Sequence, residues 1–160
     1  MRSQELLALE SGHIEPDGSY INIRQAVKQV KGTVFVGATK SATSVRDVPV
    51  PEAYRDMVKR LRTYCAPYLW TGKGGDKPCN PTHFRDKFAA AIKSIPGVRP
   101  LTPHSCRHTF VSQLQAQGVP METIQSLAGH AEMDMTEHYL HVQDGVKATA
   151  VERLAGLIGA

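Results

Sequence analysis

Pro103, Gly118, Pro120 and Gly129 divide the last third of the chain so closely that few arrangements remain open to it. Thr102 offers an N-cap hydroxyl. Pro103 behind it has a locked φ that suits the first helical position, where its missing N–H costs nothing. Gly118 falls where that helix must stop, Pro120 opens the next, and Gly129 closes it by taking the left-handed conformation that ends helices. The spacing predicts two short helices with His130 directly after the second. A further helix can hold Tyr139, and Val151, Leu154 and Ile158 keep helical spacing to the chain end. This third reads as helical throughout.

Ahead of it the periodicity changes. Leu6, Leu7 and Leu9 end a short apolar helical stretch. Ser19 to Arg24 alternates, with Ile21 and Ile23 on one face, and Thr33 to Val36 and Asp47 to Val50 are further strand candidates. A small antiparallel sheet is the simplest arrangement. Pro51 can open a helix in which Tyr54, Met57, Val58 and Leu61 form a buried face opposite Arg55, Lys59 and Arg62. Thr71 to Pro78 is a loop by composition. Asn80-Pro81 then makes an N-cap and first turn, with Phe84, Phe88, Ala91 and Ile92 on that helix's core face. The expected class is α+β, mainly α-helical with a small N-terminal antiparallel β-sheet.

A chain of 160 residues, 41% of them hydrophobic, suffices for one domain and one core. No repeat, low-complexity tract or long linker divides it. Nineteen Lys and Arg against fifteen acids give a formal +4, which weakly favours an anionic partner. Cys65, Cys79 and Cys106 have neither disulfide-framework nor metal spacing, so a reducing, cytoplasmic setting fits best, and Cys106 is expected as a small core residue. No apolar run approaches the roughly 20 residues that span a bilayer. Met1-Arg2-Ser3-Gln4-Glu5 starts no signal peptide, and no membrane partner is expected.

The chemistry gathers in two short patterns. His104-Ser105-Cys106-Arg107 places an imidazole and a guanidinium three residues apart, on one face of a helix's first turns, where the helix N-terminus adds positive partial charge. Leu127-Ala128-Gly129-His130 is followed nine residues later by Tyr139. Two imidazoles, a guanidinium and a phenol suit the making of a phosphotyrosine bond. The arginine fork offers two parallel donors to phosphate oxygens. A phenol titrates near about 10, so it attacks well at neutral pH only where cations favour phenolate or a base takes its proton. If protein cations supply the charge stabilisation, neither metal nor nucleotide is needed, and no cofactor is expected.

These patterns resemble the second half of the active site of tyrosine recombinases, the phage-integrase family that cuts and rejoins DNA strands. The front of the chain meets the same resemblance. The family's first catalytic arginine opens an Arg-x-x-Glu-Leu helix, matched here by Arg2-Ser3-Gln4-Glu5-Leu6. Its hairpin lysine precedes Ser-x-Arg-x-x-Pro, matched by Lys40 and Ser44-Val45-Arg46-Asp47-Val48-Pro49. The resemblance implies that Arg2 and Arg107 clamp the scissile phosphate and that Lys40 protonates the leaving 5′ oxygen. His104 would handle the tyrosine proton, His130 bond a phosphate oxygen, Tyr139 attack, and Glu5 orient the cations without reacting. It further implies duplex DNA as substrate and four protomers on two sites. The segment with Val151, Leu154 and Ile158 is a candidate for docking on a neighbour, or else closes its own core. Arg24, Lys28, Lys31, Lys73 and Lys77 are candidate phosphate contacts, each also readable as a solvated charge.

Family members carry an N-terminal DNA-binding domain and a helix before the first arginine. By that pattern residues 1–160 form a catalytic domain lacking both, with Arg2 at a fraying terminus and weak turnover by the chain alone. An inactive fragment that only binds DNA, and relaxation like that of a type IB topoisomerase, are the alternatives. A zinc site is disfavoured because His104 and Cys106, two apart on a helix, point nearly oppositely. A helix-turn-helix reader running from Met121 through Tyr139 would present Asp134 and Glu137 to phosphates, where Arg, Lys, Asn or Gln is usual.

Overall fold

The structure, a computed structural model, describes residues 1–39, 44–64, 67–72, 74–129 and 144–158. Helix α1 (Ser3–Leu6) is a single turn, begun where the Glu5 carboxylate accepts the Arg2 amide at 2.7 Å. A 3₁₀ turn at Ser11–His13 leads to β1 (Tyr20–Ile23), β2 (Gln25–Val30), β3 (Thr33–Ala38) and β4 (Arg46–Pro49). The strands form two antiparallel two-stranded ladders. β1 pairs with β4, from Tyr20 opposite Pro49 to Ile23 opposite Arg46, and β2 pairs with β3, from Gln25 opposite Ala38 to Val30 opposite Thr33. The β2–β3 hairpin turns at Lys31 and Gly32, both at positive φ, as a two-residue turn between twisted strands requires. β2 carries little sequence signal because Gln25, Lys28 and Gln29 dilute its apolar residues. Its Val27 is buried all the same and packs with Leu7, Ala8 and Cys79, flanked by Val34, Val36, Trp70 and Phe84.

Helix α2 (Glu52–Tyr64) buries Val58 against Ile14 and Val50, with Tyr54 beside them. Met57, expected on this face, is 49% exposed, whereas Arg55 and Arg62 are half-buried. Arg55 Nε donates to the Val50 carbonyl at 3.3 Å, so the buried stripe is turned toward the arginine side and away from Met57. Helix α3 (Pro81–Lys93) starts as expected, Asn80 accepting the Thr82 amide at 2.8 Å. Its core face is thinner than the periodicity suggests. Phe84, Phe88 and Ile92 are half-buried and Ala91 is exposed, the main anchor being an edge-on contact of Phe84 with Trp70 at 6.0 Å.

Helices α4 (Pro103–Ala116), α5 (Met121–Ala128) and α6 (Asp144–Ile158) share one core of Leu114, Val119, Ile124, Leu127, Ala150 and Val151, with Phe110, Val111 and Leu154 against it. Thr102 Oγ1 accepts the Ser105 amide at 3.2 Å, and Gly118 and Gly129 take φ of +70° and +69°. Val151 and Leu154 pack into this core within their own chain. The side chain of Ile158 and the helix proposed to hold Tyr139 lie outside the described residues, as does the second half of the helix-turn-helix alternative. Cys106 is exposed, not a core residue. The inward edge of α4 runs through Arg107, Phe110, Val111 and Leu114, which are spaced by three and four, and Cys106 is turned out of that series. Among the described residues no helix is long and apolar enough to cross a membrane.

Candidate active site

A carboxylate that is 2% exposed needs cations or donors around it, and Glu5 has them on two sides. Its Oε2 accepts the Arg2 amide at 2.7 Å and Arg46 Nη2 at 2.9 Å; its Oε1 accepts Arg2 Nη1 at 3.2 Å and Arg46 Nη1 at 3.3 Å. Burial alone would raise the carboxyl's pKa. The Arg46 hydrogen bonds, the Arg2 amide and the charge of Arg46 outweigh it and hold Glu5 below the ordinary carboxylate range. Arg2 Nη1 also donates to Ser44 Oγ at 3.1 Å, so Arg2 is docked rather than frayed.

Arg107 comes to the same place from α4. It is 8% exposed, and its Nη1 donates to the Ala128 carbonyl, in the last turn of α5, at 2.6 Å. That carbonyl lacks an intrahelical partner, as do all at a helix C-terminus. Burial, then the charges of Arg2 and Arg46, pull the Arg107 pKa down, while Glu5 opposes the shift. Among the described residues, Arg107 Nη2 is buried with no hydrogen-bond partner.

Arg2, His104 and Arg107 line one cleft of about 150 Å³, together with Met1, Ser3, Gln4 and Pro103. His104 is exposed at its rim, its ring edge-on to His108 with centroids 4.4 Å apart. Among the described residues, Glu5 thus bonds two guanidinium groups and feels the charge of a third, a local excess of positive charge in a place where an unpaired donor is costly. Such a site is prepared for an anion with several acceptor oxygens, and phosphate fits that description.

Of the residues singled out from sequence, Arg2, Glu5, His104 and Arg107 are brought together. Lys40, His130, Tyr139 and Lys73 lie outside the described residues. Arg24 is ion-paired with Asp47 and donates to the Arg46 carbonyl at 3.1 Å. Lys28 is exposed on β2 beside Gly37, Lys31 occupies the β2–β3 turn, and Lys77 is exposed in the loop whose ends meet at Thr71 and Pro78. The residue that sequence reasoning passed over is Arg46. Its place in Ser44-x-Arg46-x-x-Pro49 was the available signal. Among the described residues, no three His, Cys, Asp or Glu side chains gather where they can hold a metal ion.

The sequence profile described as "Phage integrase family" matches residues 1–145. A tyrosine recombinase of Thermosipho africanus is 28% identical over 109 residues, 68% of this chain and 38% of that protein. The tyrosine recombinase XerC of Staphylococcus epidermidis is 32% identical over 62% of this chain and 36% of its own length. For the tyrosine recombinase XerD of Rhizobium meliloti the figures are 30%, 89% and 43%. The chain spans less than half the length of these curated relatives. Among solved structures, the Tn1549 transposon integrase in complex with transposon right end DNA is similar with a TM-score of 0.71, over 97% of this chain and 55% of that one, at 23% identity. XerA recombinase is similar with a TM-score of 0.61, over 98% and 53%, at 21% identity. At these identities the likeness establishes the fold: α+β, with a mainly helical body and a small antiparallel sheet.

Proposed function

The chain belongs to the phage integrase family, and from that membership we propose that it carries the site for DNA strand cleavage and rejoining through a 3′-phosphotyrosine intermediate. The observation that carries this reading is the convergence of Arg2 and Arg107 on one cleft, with Arg46 behind them and, among the described residues, a single carboxylate beside them and a buried donor of Arg107 left over. A scissile phosphate seated there takes that donor. The two guanidinium forks then oppose the charge that develops on its oxygens as phosphorus becomes pentavalent.

In this reading the Tyr139 oxygen attacks phosphorus, its proton passing to His104. The P–O5′ bond breaks, and Lys40 donates a proton to the leaving oxygen, giving a free 5′-hydroxyl and a 3′-phosphotyrosine. A 5′-hydroxyl from a partner strand then reverses the steps, so bond energy is conserved without a nucleotide. His130 bonds a phosphate oxygen. These roles rest on the order and spacing of the family's pattern in this sequence. Arg107 and Arg2 supply the charge that the reading requires without a metal ion.

Double-stranded DNA is the proposed partner; the Tn1549 transposon integrase is seen in complex with transposon right end DNA and with circular intermediate DNA. Four protomers on two sites would perform recombination in the whole protein, in the cytoplasm. The test is covalent trapping on a pool of nicked duplexes in EDTA, since cleavage near a nick releases a short fragment and blocks religation. The expected result is a denaturation-resistant adduct that is absent in Tyr139→Phe and forms about 10²- to 10³-fold more slowly in Arg107→Ala. An adduct that persists in Tyr139→Phe would overturn the reading.

A further inference from the structure

Resting on that reading of the site, we propose that Arg46 is a positioning residue for strand cleavage. It fixes the distance between Arg2 and Arg107 and the point at which the chain leaves α5 toward His130. Its side chain is 4% exposed, and among the described residues it makes four hydrogen bonds, to Glu5, Ser44 and Leu127. Nη1 and Nη2 meet the two oxygens of Glu5 at 3.3 and 2.9 Å, Nη1 reaches the Ser44 carbonyl at 2.8 Å, and Nε reaches the Leu127 carbonyl at 2.9 Å. A planar guanidinium has a fixed fork, so these partners are set relative to one another and not merely attracted.

Each partner leads to a residue that faces the cleft. Glu5 holds Arg2 by amide and guanidinium, and Ser44 holds Arg2 by its hydroxyl. Leu127 and Ala128 present consecutive carbonyls at the end of α5, the first taken by Arg46 and the second by Arg107. A shift of Arg46 along α5 therefore moves the acceptor of Arg107 with it. Gly129 seals the arrangement. A Cβ on that residue would lie 2.5 Å from Arg46 Nη1 and 2.8 Å from its Cζ, so the backbone that continues to His130 rests directly on the guanidinium. Arg46 does not line the cleft, which separates its role from those of Arg2 and Arg107.

The experiment uses Arg46→Lys and Arg46→Met in the full chain, each checked by thermal melting. Lysine keeps a charge for Glu5 but cannot span Glu5, Ser44 and Leu127 together. Adduct formation on nicked duplexes is followed against DNA concentration. The expected result for Arg46→Lys is an adduct rate at saturating DNA lowered about 100-fold, as for an active-site displacement near 1 Å, with half-saturation moved less than about 3-fold. Arg46→Met should fall at least as far, and if it does not fold, the lysine variant decides alone. Side-chain NMR of the free chain supplies a readout independent of cleavage. Hindered rotation of the Arg2 and Arg107 guanidinium groups should be lost in the folded lysine variant. Parental rates per folded molecule, or unchanged Arg2 and Arg107 signals, would overturn the proposal. Lost hindrance in a chain whose parent forms no adduct would support the positioning role while sinking the strand-cleavage reading.

Discussion

Glu5 keeps its charge where burial opposes it, and that conflict makes a pH signature. Its pKa is lower folded than unfolded, so its contribution to stability is full above the ordinary carboxyl value of 4.5 and is lost as pH falls through the folded value. In urea unfolding, Glu5→Gln is expected to cost about 3 kcal/mol at pH 7, because it leaves Arg46 buried without its counter-charge. The gap between the two proteins should close progressively below pH 4.5. A gap independent of pH would mean that the pairing with Arg46 is not what holds the carboxylate. The pairing of Glu5 with Arg2 was legible from the Arg2-x-x-Glu5-Leu6 pattern. Arg46 was not, although its motif was visible, because nothing along a sequence says which of nineteen Lys and Arg turns inward. That choice follows from where Glu5, Ser44 and the end of α5 meet, and those residues are more than forty positions apart at the extremes.

Helix boundaries were the most legible elements, because Thr102, Pro103, Gly118, Asn80 and Gly129 each act within a few residues of the chain. Helix faces were less so. Periodicity groups residues on one side, but Met57 and Cys106 show that the buried direction can lie a full position around the helix from the expected one, set by what the helix leans on. Two glycines separate local from tertiary demand. Gly118 and Gly129 share nearly the same positive φ, yet a Cβ on Gly118 meets nothing within 4 Å while one on Gly129 meets Arg46. Gly118→Ala is therefore expected to cost about 1 kcal/mol of backbone strain. Gly129→Ala should cost that plus roughly 1–3 kcal/mol for displacing a buried guanidinium. Equal losses in chemical denaturation would contradict the close packing of Gly129 on Arg46.

For the whole molecule, the core formed by α4, α5 and α6 closes within one chain. Val151→Ala should lower stability by about 2 kcal/mol. Its effect on melting should not change over a tenfold range of protein concentration, and a loss that grows on dilution would show that α6 docks in trans. The overall class was legible because cap signals and alternating apolar residues specify elements independently. The division into two ladders was not, since strand pairing depends on contacts far apart in sequence, such as Ile23 with Arg46. In the proposed function, Arg2, Arg46 and Arg107 prepare one phosphate for attack by Tyr139. The most direct test is to isolate the adduct formed on nicked duplex in EDTA, digest it, and locate the DNA-bearing residue by mass spectrometry. A 3′-phosphoryl linkage on Tyr139 is expected; a linkage to any other residue, or to a 5′ phosphate, would rule the proposed chemistry out.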